Sequence, residues 1–455
     1  MSLYKRRLDV SQPLNEADTM IAHTFQEPFS PEWIKTHVPN STHDLMILRH
    51  LLPWQAIIDR LIPLYHAQKG REGQSLRTMV ALSIVAKLRA SSDRGVIESV
   101  KENRYIQYFC HVPDQGLMTF LHPSTLCKFR KRLGEKGSAV IEETVFNHLK
   151  DAQAIKADMM LQDATVLESP IIYPTDVRLL YKAFDKMAIL ATKAHIPIWW
   201  DEDDIKKLWR AYHLDGTQPL AYLCAFYLVF EPALETFASH FDPMPQGPLK
   251  AKWNTALEAL LTLDEQTQLK LEGQRQIANR LVSLDDLDAR PIQKGKRHPK
   301  TEFGTYLQLT FNRQGFMITA ENFIGKRDDK TLYAHTLQLF CQRMAASPHG
   351  AVTDLGYRSA KNLKLSQDKL EGVFMGKSSD VDEEHRETYL KARSATEGFI
   401  AVAKNLRGFG RSLYRGLQGA KVWTLLNQCA YNLKKFLQLY RHEALTEETL
   451  MKLRL

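Results

Sequence analysis

Cysteine is scarce in this chain. Cys110, Cys127, Cys224, Cys341 and Cys429 are odd in number, widely spaced and free of any CxxC pair. That pattern argues against a disulfide framework or a thiolate zinc site and fits a reducing compartment. The sixteen histidines, His298 in KRHPK among them, show no HExxH or similar metal-binding spacing. The stretch from Gly372 to Ser378 (GVFMGKS) is one residue short of a Walker A loop and falls on an expected strand, so nucleotide binding is not indicated. The N-terminal MSLYKRRLDVSQPLNEADT lacks an apolar core of signal-peptide length, no apolar run approaches about 18 residues, and neither internal repeat nor low-complexity tract is present. The expectation is a soluble intracellular protein with no membrane partner, in which the Asn40-Ser41-Thr42 sequon is a chance match.

What the chain has in excess is positive charge. Lys and Arg number 61 against 52 Asp and Glu, giving a net charge of +9 and a pI near 9.1, which favours an anionic partner such as nucleic acid. From Lys391 to Lys421 there are seven basic residues, Lys391, Arg393, Lys404, Arg407, Arg411, Arg415 and Lys421, against one acid, Glu397. A second cluster, Arg290, Lys294, Lys296, Arg297 and Lys300, holds no acid, and in a third, Lys128, Arg130, Lys131 and Arg132, Phe129 is interleaved. The acidic run Asp380, Asp382, Glu383, Glu384 and Glu387 reads as a solvated loop. With 44% hydrophobic and 25% charged residues, the 455-residue chain has ordinary globular composition and length for about three domains.

Residues 1–70 read as an extended arm followed by helix, with Trp33 and Trp54 as anchors. Residues 71–150 are helical: SLRTMVALSIVAKLRA is apolar at Met79, Leu82, Val85 and Leu88. In HPSTLCKFRKRLGEKG, Ser124 or Thr125 is placed to cap a helix displaying Lys128, Arg130, Lys131 and Arg132, a helix-turn-helix pattern that would contact DNA. A solvated basic helix in an all-helical bundle is the plainer alternative. A strand over 155–172 carries Leu161, Asp163, Thr165 and Leu167 on one face. TYLQLTFN (305–312) and GFMITAENF (315–323) form a hairpin, followed by helix (329–346), strand (350–357), a short helix near Ala360, strand (370–376) and the helix around Glu397. The segment 178–300 interrupts this order with helical spacing and reads as an inserted helical subdomain, in which Trp199, Trp200 and Trp209 are either core or a stacking surface for an unpaired base. The expected organisation is an arm and helix (1–70), a helix-turn-helix-like DNA-binding domain (71–150), a core in two pieces (155–177 and 301–436), the insertion (178–300) and a tail (437–455).

Three acids stand out: Asp163 in MMLQDATVLES, Asp354 in GAVTDLGYRS and Glu397 in ARSATEGFIAVAKNLRG. A carboxylate beside an apolar strand is costly unless something positive pairs with it, and a divalent metal is the usual partner. Any one such Asp alone is more often a structural hydrogen-bonder. The insertion accounts for their spacing, since Asp354 lies 191 residues beyond Asp163 and Glu397 only 43 beyond Asp354. At about 100° per residue, Arg393, Glu397 and Lys404 fall within about 40° of one another, while Phe399, Val402 and Leu406 fall at about 180–240°. That spacing predicts a helix buried through its apolar side and presenting one carboxylate, bracketed by two cations, to a polyanion. Simple ion pairing of Arg393 and Lys404 with Glu397 is the alternative.

From about residue 45 to 436 these features resemble the DDE transposases of bacterial insertion sequences, in particular the branch with a Tyr-x2-Arg-x3-Glu-x6-Lys pattern. Arg393, Glu397 and Lys404 reproduce the Arg-x3-Glu-x6-Lys part, and three residues rather than two separate Tyr389 from Arg393. The segments DATVLESPIIYPTD, KTEFGTYLQL, TDLGYRSAKN and KVWTLLNQCAYNLKKF also look like stretches of such transposases. The resemblance implies an α/β ribonuclease H-like catalytic core with a mixed sheet, beside the N-terminal all-α domain and the helical insertion. It implies Asp163, Asp354 and Glu397 as catalytic residues and ligands of two Mg²⁺ or Mn²⁺ ions, with Asp163 bridging, because in-line displacement at phosphorus through a highly charged transition state suits hard ions about 3.5–4 Å apart. Arg393, Lys404 and Tyr389 would contact DNA beside the metals, and Lys128, Arg130, Lys131 and Arg132 elsewhere. The partners implied are terminal inverted repeats, target DNA and a second copy of the chain on DNA, in the bacterial cytoplasm at the nucleoid. Two rivals stay open: a catalytically silent DNA-binding protein of transposase ancestry, and a related nuclease without strand transfer.

Overall fold

The computed structural model describes residues 27–64, 74–118, 120–294 and 300–454. The arm up to residue 26 and the basic residues Lys296 and Arg297, with His298, lie outside the described residues. The N-terminal part is helical throughout: α1 (Pro31–His37), α2 (Asp44–Leu51), α3 (Trp54–Leu61), α4 (Leu76–Leu88), α5 (Asp93–Glu102), α6 (Arg104–Phe109) and the long α7 (Pro123–Asp151). Trp33 and Trp54 anchor the first helices as expected. The Trp33 indole donates to Asp114 at 2.7 Å and stacks on His37, while Trp54 donates to the Arg49 carbonyl and carries the Arg77 guanidinium over its ring.

α7 is capped by His122, not by Ser124 or Thr125, because Pro123 takes the first helical position and the imidazole accepts from the Ser124 N–H. It kinks at Gly134, whose φ of 53° and ψ of −160° interrupt the helical dihedrals. The connection from Phe109 to Pro123 is far longer than the 3–4-residue turn of a helix-turn-helix, and α3, α4 and α5 pack directly against α7 across it.

β1 (Met159–Glu168) starts a mixed sheet, and a helical excursion follows it: α8 (Asp176–Lys193), α9 (Glu202–Leu214), α10 (Pro219–Ser239) and α11 (Pro248–Leu271). These four helices enclose a core of their own around Phe184, Phe226, Phe230, Phe237 and Trp253. Trp199, Trp200 and Trp209 pack against it, Trp209 stacking on Tyr181 with ring centroids 4.4 Å apart, which favours core over base stacking for this group. α10 is, among the described residues, the one helix long and apolar enough to cross a membrane by length and composition, which the short-run reading of the sequence had passed over. Its Leu223, Phe226, Phe230 and Phe237 are buried against the neighbouring helices.

The chain returns through β2 (Arg290–Ile292), β3 (Glu302–Phe311), β4 (Met317–Ile324), α12 (Asp329–Met344), β5 (Gly350–Thr353), α13 (Ala360–Gln367), β6 (Gly372–Met375), α14 (Arg386–Leu406), α15 (Gly416–Arg441) and α16 (Glu447–Lys452). β3 is antiparallel to β1; β5 lies on the other side of β1, parallel to it, with β6 parallel beyond. β4 and the short β2 both pair with the outer edge of β3. The hairpin expected over 305–323 is thus present as β3 and β4. α15 packs against α7, α4 and β4, so a single apolar core runs from Leu82 and Phe129 of the N-terminal helices through Leu433 and Phe436 to Phe316, Tyr333 and Phe340. The architecture is a mixed sheet carrying many helices.

Of the apolar residues expected to dock α14, Phe399 packs against Phe311, while Val402 and Leu406 do not. Tyr389, Ala392, Thr396 and Ala403 are its buried residues, whereas Val402 and Leu406 are 38% and 60% exposed. The small Ala392, Thr396 and Ala403 let the helix approach the strands closely, and the polar flank beside them finds carboxylate partners there. That combination outweighs burial of two aliphatic side chains, each worth roughly 1.5–3 kcal/mol.

Candidate active site

β1 is buried on both faces along its interior, with Asp163 the one position between Met159 and Leu167 that is not. Its Oδ1 accepts from the Ala164 N–H at 2.7 Å. Leu161 pairs with Val352 of β5, the last pair of the two parallel strands; Asp163 continues β1 two residues on, and Asp354 follows the last residue of β5. Asp354 caps the following turn, its Oδ1 accepting from the Gly356 N–H at 2.9 Å. Burial pushes the Asp163 carboxyl above the usual carboxylate range, with Lys294 opposing and Asp354 adding to the shift.

Glu397 approaches from α14. Its carboxylate is 68% exposed and accepts from Arg393 Nη2 at 3.2 Å, while Arg393 Nη1 lies 4.0 Å from Asp163 Oδ2 and has no hydrogen-bond partner. Arg393 therefore stands between Asp163 and Glu397. Asp163 feels the charge of Asp354, Glu397 is turned to the arginine, and among the described residues no three Asp, Glu, His or Cys side chains are gathered closely enough to hold a metal ion.

Other expected contacts have different places. Lys404 donates to Glu302 Oε1 at 2.9 Å, with the carboxylate 5% exposed, so its charge is committed inside the protein and does not bracket Glu397. Tyr389 is 6% exposed, its hydroxyl wedged between Gly350 and Gly372 where β5 and β6 begin, so the side chain is committed to the sheet. Arg130 is held by both oxygens of Asp93, at 2.5 and 2.7 Å. Lys128, Lys131 and Arg132 are exposed on α7.

Two groups beside the acid pair were not anticipated. The Tyr306 hydroxyl donates to Asp329 at the start of α12, and Asp329 reaches Asp354: a Cβ on Gly356 would meet Asp354 Oδ1 at 3.0 Å and Asp329 Oδ2 at 3.2 Å. Burial raises the Asp329 carboxyl, and Asp354 adds to the effect. Lys294, which the sequence offers only as part of a basic cluster, donates to the Ala164 carbonyl beside Asp163. In the sequence, Asp328-Asp329 ahead of a helix reads as an ordinary cap, which Asp328 indeed supplies.

Residues 32–132 match the family described as a transposase domain (DUF772), and residues 266–433, which include Asp354 and Glu397, match the transposase DDE domain. The chain belongs to the insertion-sequence DDE transposases. Asp163 of this transposase lies outside both matched segments, on the strand before the helical excursion. The transposase is also 30% identical over 164 residues to an uncharacterised protein, ORF8 in the nfe locus of Rhizobium meliloti, an alignment covering 34% of this chain and 76% of that one. No solved structure matches it.

Proposed function

We propose that this transposase binds the inverted-repeat ends of its element as a dimer, cuts DNA strands there and joins the freed 3′-hydroxyl to target DNA, using a ribonuclease H-like core. The observation that carries this reading is that Asp163 on β1 feels the charge of Asp354, the residue after the adjacent parallel β5, while Arg393 links Asp163 to Glu397. The strand order β4-β3-β1-β5-β6, with the third acid on the helix after β6, supports the ribonuclease H-like assignment.

The three carboxylates are an all-oxygen donor set, which fits Mg²⁺ or Mn²⁺ rather than zinc. Asp163, Asp354 and Glu397 would hold the metal, Glu397 after leaving Arg393. When bound, divalent metal supplies charge neutralisation at the phosphate and a more acidic attacking hydroxyl. The chain's own residues do the rest. Asp163 and Asp354 are fixed by backbone N–H donors, which orients their free oxygens. Arg393, released from Glu397, turns an unpartnered guanidinium N–H towards a phosphate oxygen. Lys294, set against the Ala164 carbonyl, keeps positive charge beside the acid pair.

The Arg393–Glu397 pair favours a second reading, a silent DNA-binding protein in which Glu397 serves only as the partner of an arginine. The two separate on incubating the protein with Mg²⁺ or Mn²⁺ and a labelled duplex carrying the DNA that flanks its own gene. Cleaved and joined products support the transposase reading. Binding without cleavage would leave the silent protein, and cleavage without joining a nuclease.

A further inference from the structure

A recess of about 350 Å³ lies between the N-terminal helices and α15, away from the acid pair. That volume is at the lower end of ligand sites, which run from roughly 300 to 1,000 Å³. Lys87, in the last turn of α4, lines it and is only 8% exposed. Its ammonium rests 3.2 Å from the Trp423 ring centroid and 4.6 Å from that of Tyr414, and among the described residues it has no hydrogen bond and no carboxylate partner. Asp93 is the acid in the recess, and Arg130 occupies both of its oxygens. Arg94, also on the lining, is exposed and carries no ion pair among the described residues.

The charges do not balance. Lys87, Arg94 and Arg130 face a single carboxylate, Asp93, and the Lys87 amine is nearly withdrawn from water. A buried ammonium without a partner is costly to keep. Two cation–π contacts offset part of that, at about 2 kcal/mol for a desolvated case. Burial, with Arg130 beside it, holds the Lys87 ammonium well below the usual lysine range. α5 and α7 both begin at the recess and turn their N-terminal ends towards it, adding the partial positive charge of two helix dipoles. Lys128 and Lys131 are exposed elsewhere on α7.

We propose that this recess takes a phosphate group of duplex DNA, with Lys87 and Arg94 as its ligands and Tyr414 and Trp423 as its walls. It is a backbone anchor distinct from the acid pair, and it rests on the reading of the chain as a DNA-handling protein. Lys87 is left without an anion so that a phosphate can complete it, the strain of a binding site carried by the empty fold.

Lys87→Met and Arg94→Ala test this against the full-length wild-type chain, with two readouts. Binding to a duplex bearing the gene-flanking DNA, measured at several salt concentrations, should weaken about tenfold or more for Lys87→Met, the loss of one charge-assisted hydrogen bond. The slope of log affinity against log salt should fall by about one in each variant. Without DNA, Lys87→Met should melt at a higher temperature than wild type, because a thioether replaces an unpaired charge. An unchanged slope together with a lower melting temperature would make Lys87 a structural cation–π residue and overturn the inference while leaving DNA binding intact. Inorganic phosphate is the control for source. If it raises the melting temperature of wild type but not of Lys87→Met while the duplex slopes do not differ, the recess serves a small phosphate and the DNA assignment falls. Wild type that fails to bind any duplex would instead overturn the parent reading and this one with it.

Discussion

Asp163, inside β1, and Asp354, the residue after β5, are near enough for the Asp354 charge to raise the Asp163 carboxyl, and they come from opposite sides of a long helical excursion. Like charges so placed repel, and Lys294 and Arg393 oppose that repulsion at Asp163. A cation of higher charge would oppose it better, which is the physical basis for reading the acid pair as catalytic.

Lys404 should be structural. Replacing it with Ala removes the ammonium that Glu302, 6% exposed, accepts from, and breaking a buried pair by removing one partner costs about 3 kcal/mol. Urea unfolding of Lys404→Ala should show that loss, and Lys404→Met combined with Glu302→Gln should recover most of it. The salt dependence of DNA binding should be unchanged in Lys404→Ala, since its charge is already spent inside the protein. A stable variant with a reduced salt slope would return Lys404 to the phosphate-contact role that the sequence suggests.

His111 should make the transposase acid-sensitive. Burial, reinforced by Arg77 and Arg49, pushes its imidazole down to about 3, while the nearby Glu27 is engaged by Arg49. The unfolded chain binds a proton near the ordinary histidine value of about 6.5 and the folded chain does not, so this contribution is complete above that pH. It is lost as pH falls through the window from about 6.5 towards 3, at about 1.4 kcal/mol per pH unit. Unfolding free energy measured between pH 7 and 5 should follow that slope and flatten in His111→Asn, a residue that tolerates the φ of 60° found there. An identical slope in the variant would place the acid sensitivity elsewhere.

Tyr389 should report on the sheet rather than on DNA. A Cβ at Gly350 or Gly372 would overlap its hydroxyl. Gly350→Ala should therefore destabilise by about 1–3 kcal/mol, the usual cost of overpacking. Part of that should return in the Tyr389→Phe background, where the nearest overlapping atom is gone. Thermal melts of the three variants decide it, and equal losses with and without the hydroxyl would contradict the wedge.

The helical excursion should lose its own core first. Trp253 is fully buried, stacks on Phe237 at 4.1 Å between centroids and donates to the Phe237 carbonyl at 3.1 Å. Trp253→Ala should cost about 3–5 kcal/mol, and hydrogen exchange should speed up in α8–α11 while β1 and β3 keep their protection. Loss of protection spread evenly over the sheet would mean that the two cores unfold as one.

Much of this was legible in the sequence because strand and helix periods are local. The β3–β4 hairpin, the long excursion after β1 and the order of the three acids all follow from apolar spacing and turn residues. The side on which α14 docks followed only at Phe399, since periodicity marks apolar residues and this helix docks mainly through small ones, Ala392, Thr396 and Ala403. Nor did the pairing of Lys404 with Glu302, 102 residues apart, which only the sheet register decides. Asp329 and Tyr306 stayed hidden for the same reason: one looks like a helix cap and the other like a strand aromatic until β3 sets them against Asp354. Lys87 sits in a helix buried along its whole length and shows its lack of an anion only once Trp423 of α15 closes over it.

The central claim is that the Asp163–Asp354 acid pair performs phosphodiester chemistry, and Asp163→Asn tests it most directly. Cleavage and binding of the gene-flanking duplex should be measured on the same preparation, with Mg²⁺ or Mn²⁺ present, for wild type and variant. The account predicts that cleavage and joining vanish while affinity stays within about twofold of wild type, because binding rests on cationic contacts elsewhere. Undiminished cleavage in Asp163→Asn, or equal loss of binding and cleavage, would contradict it and make Asp163 a structural residue of β1.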